Sequence, residues 1–89
     1  MLAEKRIDDL IEAGWHVVES DFDPRAFQVW RNRAFDCLTT LLGSKHAYTL
    51  RFANYVRQAE RIDTLAGGGI LNAAKQEISK ARWYEAATL

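Results

Sequence analysis

The residues whose chemistry matters first are a histidine, a cysteine and a group of arginines. His16 follows Glu12 by four positions and Asp9 by seven, a spacing that on a helix puts all three within one exposed arc and could make a two- or three-ligand metal face. The same spacing is that of ordinary i,i+4 pairs on a solvated helix, and no second His or Cys stands near enough to tighten a site. Cys37, the lone cysteine, would be a nucleophile if a base such as Asp36 or His46 and a positive surrounding lowered its pKa. It falls instead inside an apolar stripe, where a thiol behaves as a small hydrophobe. Arg51, Arg57 and Arg61, with Lys45 nearby, offer guanidinium groups suited to phosphates, but no aromatic platform is interleaved with them. Gly67-Gly68-Gly69 leads into Ile70 without the Lys-Ser or Lys-Thr of a phosphate loop. These residues call for no cofactor or metal, and an enzyme is the least favoured class.

The elements that would position these groups are helical throughout. The 89 residues make one domain, and its 48% hydrophobic content with one proline is sufficient for a packed core. At this size folding buries only about 60% of the unfolded surface, so stability is thin and a partner or further domain matters more than usual. The best-marked helix spans 24–42. Asp23 is placed as its N-cap, Pro24 suits the first turn, and Gly43 can adopt the left-handed conformation that stops it. Ala26, Phe27, Trp30, Ala34, Cys37, Leu38 and Leu41 share its buried stripe, widened by Phe35 and Leu42, with Trp30 as the anchor.

Before it, a helix over about 2–19 is amphipathic through Ala3, Ile7, Leu10, Ile11, Gly14, Val17 and Val18. Gly14 lies in the buried stripe, where the missing side chain lets a neighbour approach. Phe22 is available as a staple ahead of the Asp23 cap. After Gly43, Ser44 can cap a third helix over about 45–60, with Tyr48, Phe52, Tyr55, Val56 and Ala59 inward and Arg57 and Arg61 opposite. A fourth helix is expected over about 64–83 with Asp63 as its cap. Three glycines cost about 3 kcal/mol in a helix, yet the stripe Ile70, Leu71, Ala74, Ile78 and Ala81 extends back over Gly67, which makes Gly67 a second contact glycine. Trp83 and Tyr84 fall off that stripe and read as an interaction surface, together with Arg51, Arg57 and Arg61. The expected fold is all-α, a largely antiparallel four-helix bundle with Trp30, Phe27, Leu38, Leu41, Phe52, Ile70, Leu71 and Ile78 in its core.

Twelve basic and twelve acidic residues cancel, so no global field draws in nucleic acid or an anionic membrane. The charge is distributed unevenly. Residues 1–20 hold two basic and five acidic groups, a net of −3, whereas residues 44–62 hold four basic and one acidic, a net of +3. That separation could help the first and third helices pack, or orient a partner. No run reaches the roughly 20 apolar residues of a membrane span, MLAEKRIDDLIE is too acidic for a signal peptide, and the cysteine usage fits the cytoplasm.

Two runs, FQVWRNRAFDCLTTLLGSKHAY and GGGILNAAKQEI, resemble a helical segment in the N-terminal part of multidomain bacterial proteins. The likeness is carried by Phe27, Trp30, Arg31, Ala34, Leu38, Leu42, Gly43 and Tyr48, then by Gly67, Gly69, Ile70, Leu71, Ala74, Lys75 and Ile78. In such proteins a HEPN-like or TIR-like effector domain often follows, which implies phage defence or stress response. The matching positions are mostly core positions, and no catalytic residue is carried over. The expectation is therefore a non-catalytic interaction or accessory module, working as a homo-oligomer or docked onto a neighbouring domain. The competing expectation is a small nucleic-acid-binding regulator using the basic face of the third helix.

Overall fold

The computed structural model describes the backbone of residues 3–88 and the side chains of residues 3–81. Four helices follow in order, α1 (Ala3–Glu19), α2 (Pro24–Leu42), α3 (Ala47–Tyr55) and α4 (Arg61–Thr88), and the described residues include no strand. They form an all-α bundle.

Local chemistry explains the start and stop of α2. The Asp23 carboxylate accepts from the Arg25 amide at 2.9 Å, satisfying a donor that the first turn leaves free. Phe22 and Phe27 close over this turn with ring centroids 6.0 Å apart, a staple that fixes how the chain enters the helix. At the other end Gly43 takes φ +99°, and its amide donates to the Thr39 carbonyl at 2.9 Å.

The third helix is shorter than the expected span of 45–60. His46, not Ser44, is its N-cap, and its Nδ1 accepts from the Tyr48 amide at 3.1 Å. It ends at Tyr55 because the chain beyond it is held elsewhere: Arg31 donates from α2 to the Val56 carbonyl, and the amides of Arg57 and Gln58 donate to the Asp63 carboxylate at 3.1 and 2.7 Å. Those bonds replace the i→i−4 ladder. Asp63 is therefore not the N-cap of α4. It lies in the first turn of a helix that begins at Arg61 rather than at 64, and from there it ties down the loop. The backbone of α4 also continues past the expected end at 83, to Thr88.

Packing centres on Trp30, which is 3% exposed. Its ring contacts Phe27 and Phe52, with centroids 6.1 and 5.8 Å away, and its Nε1 donates to the Leu10 carbonyl of α1 at 2.7 Å. The indole approaches this carbonyl over Gly14, one turn further along α1. A Cβ there would stand 3.1 Å from the indole. On the far side a Cβ at Gly67 would come within 2.6 Å of Trp30 Cη2 and 3.0 Å of Phe52. The indole thus lies between a glycine of α1 and a glycine of α4. Ile7, Leu10, Val17, Leu38, Val56, Leu71 and Ala74 complete the core with Thr49 and Thr64, while Leu41, Ile70 and Ile78 are only half-buried at its margin. Ala26, Ala59, Ala81 and Tyr55, expected inside, are exposed. Ala59 leaves the stripe because α3 has already ended.

The most extensive helix pairing joins α1 to α4, antiparallel along its length. Ser79 donates to Glu4 at 3.2 Å, Lys75 and Asp8 pair at 2.7 Å, and Arg61 reaches the far end of α1. The helix α3 packs on α2 and α4 and does not touch α1. The helices α1 and α3 therefore do not pack together, contrary to one use expected of their charges, and Arg61 reaches α1 at backbone carbonyls rather than at its carboxylates. They lie on opposite sides of the α2/α4 layer. Among the described residues, no helix is long and apolar enough to cross a membrane.

Candidate functional site

The candidate metal face does not assemble. His16 Nε2 and Glu12 Oε1 are 3.9 Å apart with both side chains largely in solvent, and Asp9 is engaged by Lys5 at 2.8 Å. Among the described residues, no group of three or more His, Cys, Asp or Glu is arranged to hold a metal. Cys37 is buried against α1, and burial pushes its thiol up from the usual range despite the nearby Arg6. A thiol held protonated in this way is a poor nucleophile at neutral pH. His46 is occupied in capping α3, and Asp36 is exposed.

The arginines are separated rather than gathered on one helix. Arg51 is on α3, with its guanidinium 5.9 Å from the Tyr48 ring centroid, and Arg57 is exposed in the loop after α3. Arg61 belongs to α4. Its Nε donates to Val18 O at 3.0 Å and its Nη2 to Ser20 O at 3.2 Å, and its guanidinium lies 5.6 Å from the Phe22 ring. These are the carbonyls that the end of α1 leaves without helical partners, so Arg61 acts as the clasp between α1 and α4. The continuous basic face expected of a third helix reaching Arg61 does not exist. Trp83 and Tyr84 lie outside the residues whose side chains are described.

A different surface emerges between α1 and α4. A groove of about 340 Å³ opens there, walled by Ile11, Trp15 and Val18 on one side and by Leu65 and Asn72 on the other, with Gly68 and Gly69 along its α4 edge. Trp15 is 51% exposed and Leu65 47%. Ile62, one turn before Leu65 on α4, is also exposed. The two glycines keep the groove open. An added Cβ at either would meet nothing within 4 Å, and neither has a positive φ, so nothing inside the chain requires glycine at 68 or 69. Each nonetheless costs a helix about 1 kcal/mol relative to Ala.

The composition of α4 points the same way. From 64 to 74 it carries no charged residue on any side, although its outer face, with Leu65, Ala66, Gly69 and Asn72, is exposed. Its outer face thus lacks the charged groups that normally line the solvent side of a surface helix. The α1 wall is different. Asp8, Glu12 and Glu19 follow Trp15 on the helix surface, and of these Asp8 is paired with Lys75. The groove is therefore apolar at its centre and acidic along one edge. Sequence reasoning passed over Trp15, which borders the apolar stripe of α1 next to Gly14; a large aromatic at the edge of an amphipathic helix was the available signal.

No family model, curated protein or solved structure matches the chain.

Proposed function

We propose that the chain is a non-catalytic helical interaction module that docks protein through the α1/α4 groove. One observation carries this reading: Trp15 and Leu65 flank an open groove whose α4 glycines, Gly68 and Gly69, leave space that a Cβ could occupy without meeting any atom within 4 Å. Aromatic anchors in concave apolar surfaces are where binding energy concentrates. The groove runs along about two turns of two antiparallel helices, from Ile11 to Val18 and from Thr64 to Asn72, which suits an amphipathic helix laid along it. Self-association or docking onto a neighbouring effector domain would use the same surface, in a cytoplasmic setting where Cys37 stays reduced.

A photo-crosslinking amino acid placed at Asn72, on the rim, tests this in cells. A discrete adduct that Trp15→Ser abolishes, with no equivalent adduct from the exposed α2 position Gln28, is the expected result. Equal labelling from both positions, or an adduct at 72 indifferent to Trp15→Ser, would overturn the reading.

A further inference from the structure

Resting on that docking role, we propose that the occupant of the groove is the outer face of α3 from a second copy of this chain. The argument starts from unmet charge. Within one chain α1 and α3 do not touch, and Arg61, the residue of 44–62 that reaches α1, donates there to the Val18 and Ser20 carbonyls rather than to a carboxylate, so the net −3 of residues 1–20 and the net +3 of residues 44–62 are not matched by α1–α3 ion pairs. Of the acidic residues of α1, Glu12 and Glu19 are exposed and lie one turn to either side of Trp15, next to the groove's uncharged lining.

The outer surface of α3 supplies the complement. Leu50 is 48% exposed and Tyr55 65%, and Lys45, Arg51 and Arg57 around them are all exposed. On the outer face of α3 Leu50 and Asn54 form one i,i+4 row and Arg51 and Tyr55 the adjoining one, so an apolar and a basic group flank the same exposed strip. An apolar groove with an acidic edge thus faces, on another copy, an apolar helix with basic edges. The groove has room for side chains of the size of Leu50 and Tyr55. Such complementarity fixes register and orientation as well as attraction.

Because the two surfaces are different and lie on opposite sides of the α2/α4 layer, the contact is head-to-tail. It leaves a free groove at one end and a free α3 at the other, so association proceeds to a ring or an open chain rather than stopping at a two-fold dimer.

A charge exchange tests the proposal. In Glu12→Lys/Glu19→Lys the groove edge becomes basic and repels α3; in Arg51→Glu/Arg57→Glu the α3 patch becomes acidic and repels the groove. All four side chains are exposed, and circular dichroism with thermal melting checks that both variants keep the parent fold. By sedimentation at low salt, the parent should associate with rising concentration, and each variant alone should associate at least about tenfold more weakly. Mixed one to one, both interfaces become oppositely charged again, and association should return to the parent level. Variants that associate like the parent, or a mixture that stays monomeric, would overturn the proposal. So would a parent chain that is monomeric at millimolar concentration. The Asn72 crosslink separates the failures: a Trp15-dependent adduct with a different protein retains the docking role and rejects the second copy, whereas loss of any such adduct rejects both.

Discussion

The two tryptophans Trp30 and Trp15 face opposite ways across the same pair of helices, and each lies beside glycines. Trp30 is enclosed between Gly14 and Gly67, with its indole nitrogen satisfied by a helix carbonyl and its ring in contact with Phe27 and Phe52. Trp15 borders a groove edged by Gly68 and Gly69, at which an added Cβ would meet nothing within 4 Å. On the inner side glycine lets a large ring approach the backbone, and stability is the gain. On the outer side glycine leaves a surface open at some loss of helix stability, as the proposed docking role requires.

The largest expected effect comes from emptying the inner site. Trp30→Ala should lower the unfolding free energy by about 3 to 5 kcal/mol, a large share of what a domain of this size possesses, measured by urea denaturation. A melting temperature within a few degrees of the parent would show that the bundle does not depend on this ring. Next, Gly67→Ala should destabilise by about 1 to 3 kcal/mol through overpacking, because the new methyl would meet Trp30 and Phe52 and both rings are held on their other sides. Gly14→Ala should cost less than Gly67→Ala, since the approach there is 3.1 Å instead of 2.6 Å and the methyl favours the helix. A reversed order would mean that the indole is anchored from α4 rather than by the Leu10 carbonyl.

The outer glycines should respond with the opposite sign. Gly68→Ala and Gly69→Ala should each stabilise by up to about 1 kcal/mol, read as a shift in denaturation midpoint. Destabilisation at either would end the distinction between the two faces. The smallest expected change is Trp15→Ser, within about 0.5 kcal/mol in stability, as for other surface positions, while association falls.

The bundle and the inner face were legible in the sequence because both rest on local signals. Asp23 and Pro24 mark the start of α2 and Gly43 its end, and the stripe through Ile70, Leu71 and Ala74 continues over Gly67, so three consecutive glycines could be read as helix. The boundary between α3 and α4 was not legible. It depends on Arg31 reaching Val56 across 25 positions and on Asp63 capturing loop amides behind it, and neither bond leaves a periodic trace. The same holds for Arg61: on a helical wheel continued from α3 it falls on a basic face, whereas its guanidinium closes the end of α1, 41 and 43 positions away. The groove was missed for a related reason. Only the pairing of α1 with α4 brings Trp15 beside Leu65, and the periodicity that sets Gly67 on the inner stripe carries no sign of an opening beside the outer glycines.

The most direct test of a groove kept open for docking places polar, helix-favouring side chains in it. For Gly68→Gln/Gly69→Gln, denaturation midpoint and sedimentation are measured on the same preparation. The midpoint should equal or exceed that of the parent, because glutamine is the better helix former, while association weakens at least about tenfold as the groove fills. A lowered midpoint would assign these glycines to the fold, and association equal to that of the parent would show that the groove is not where this protein docks.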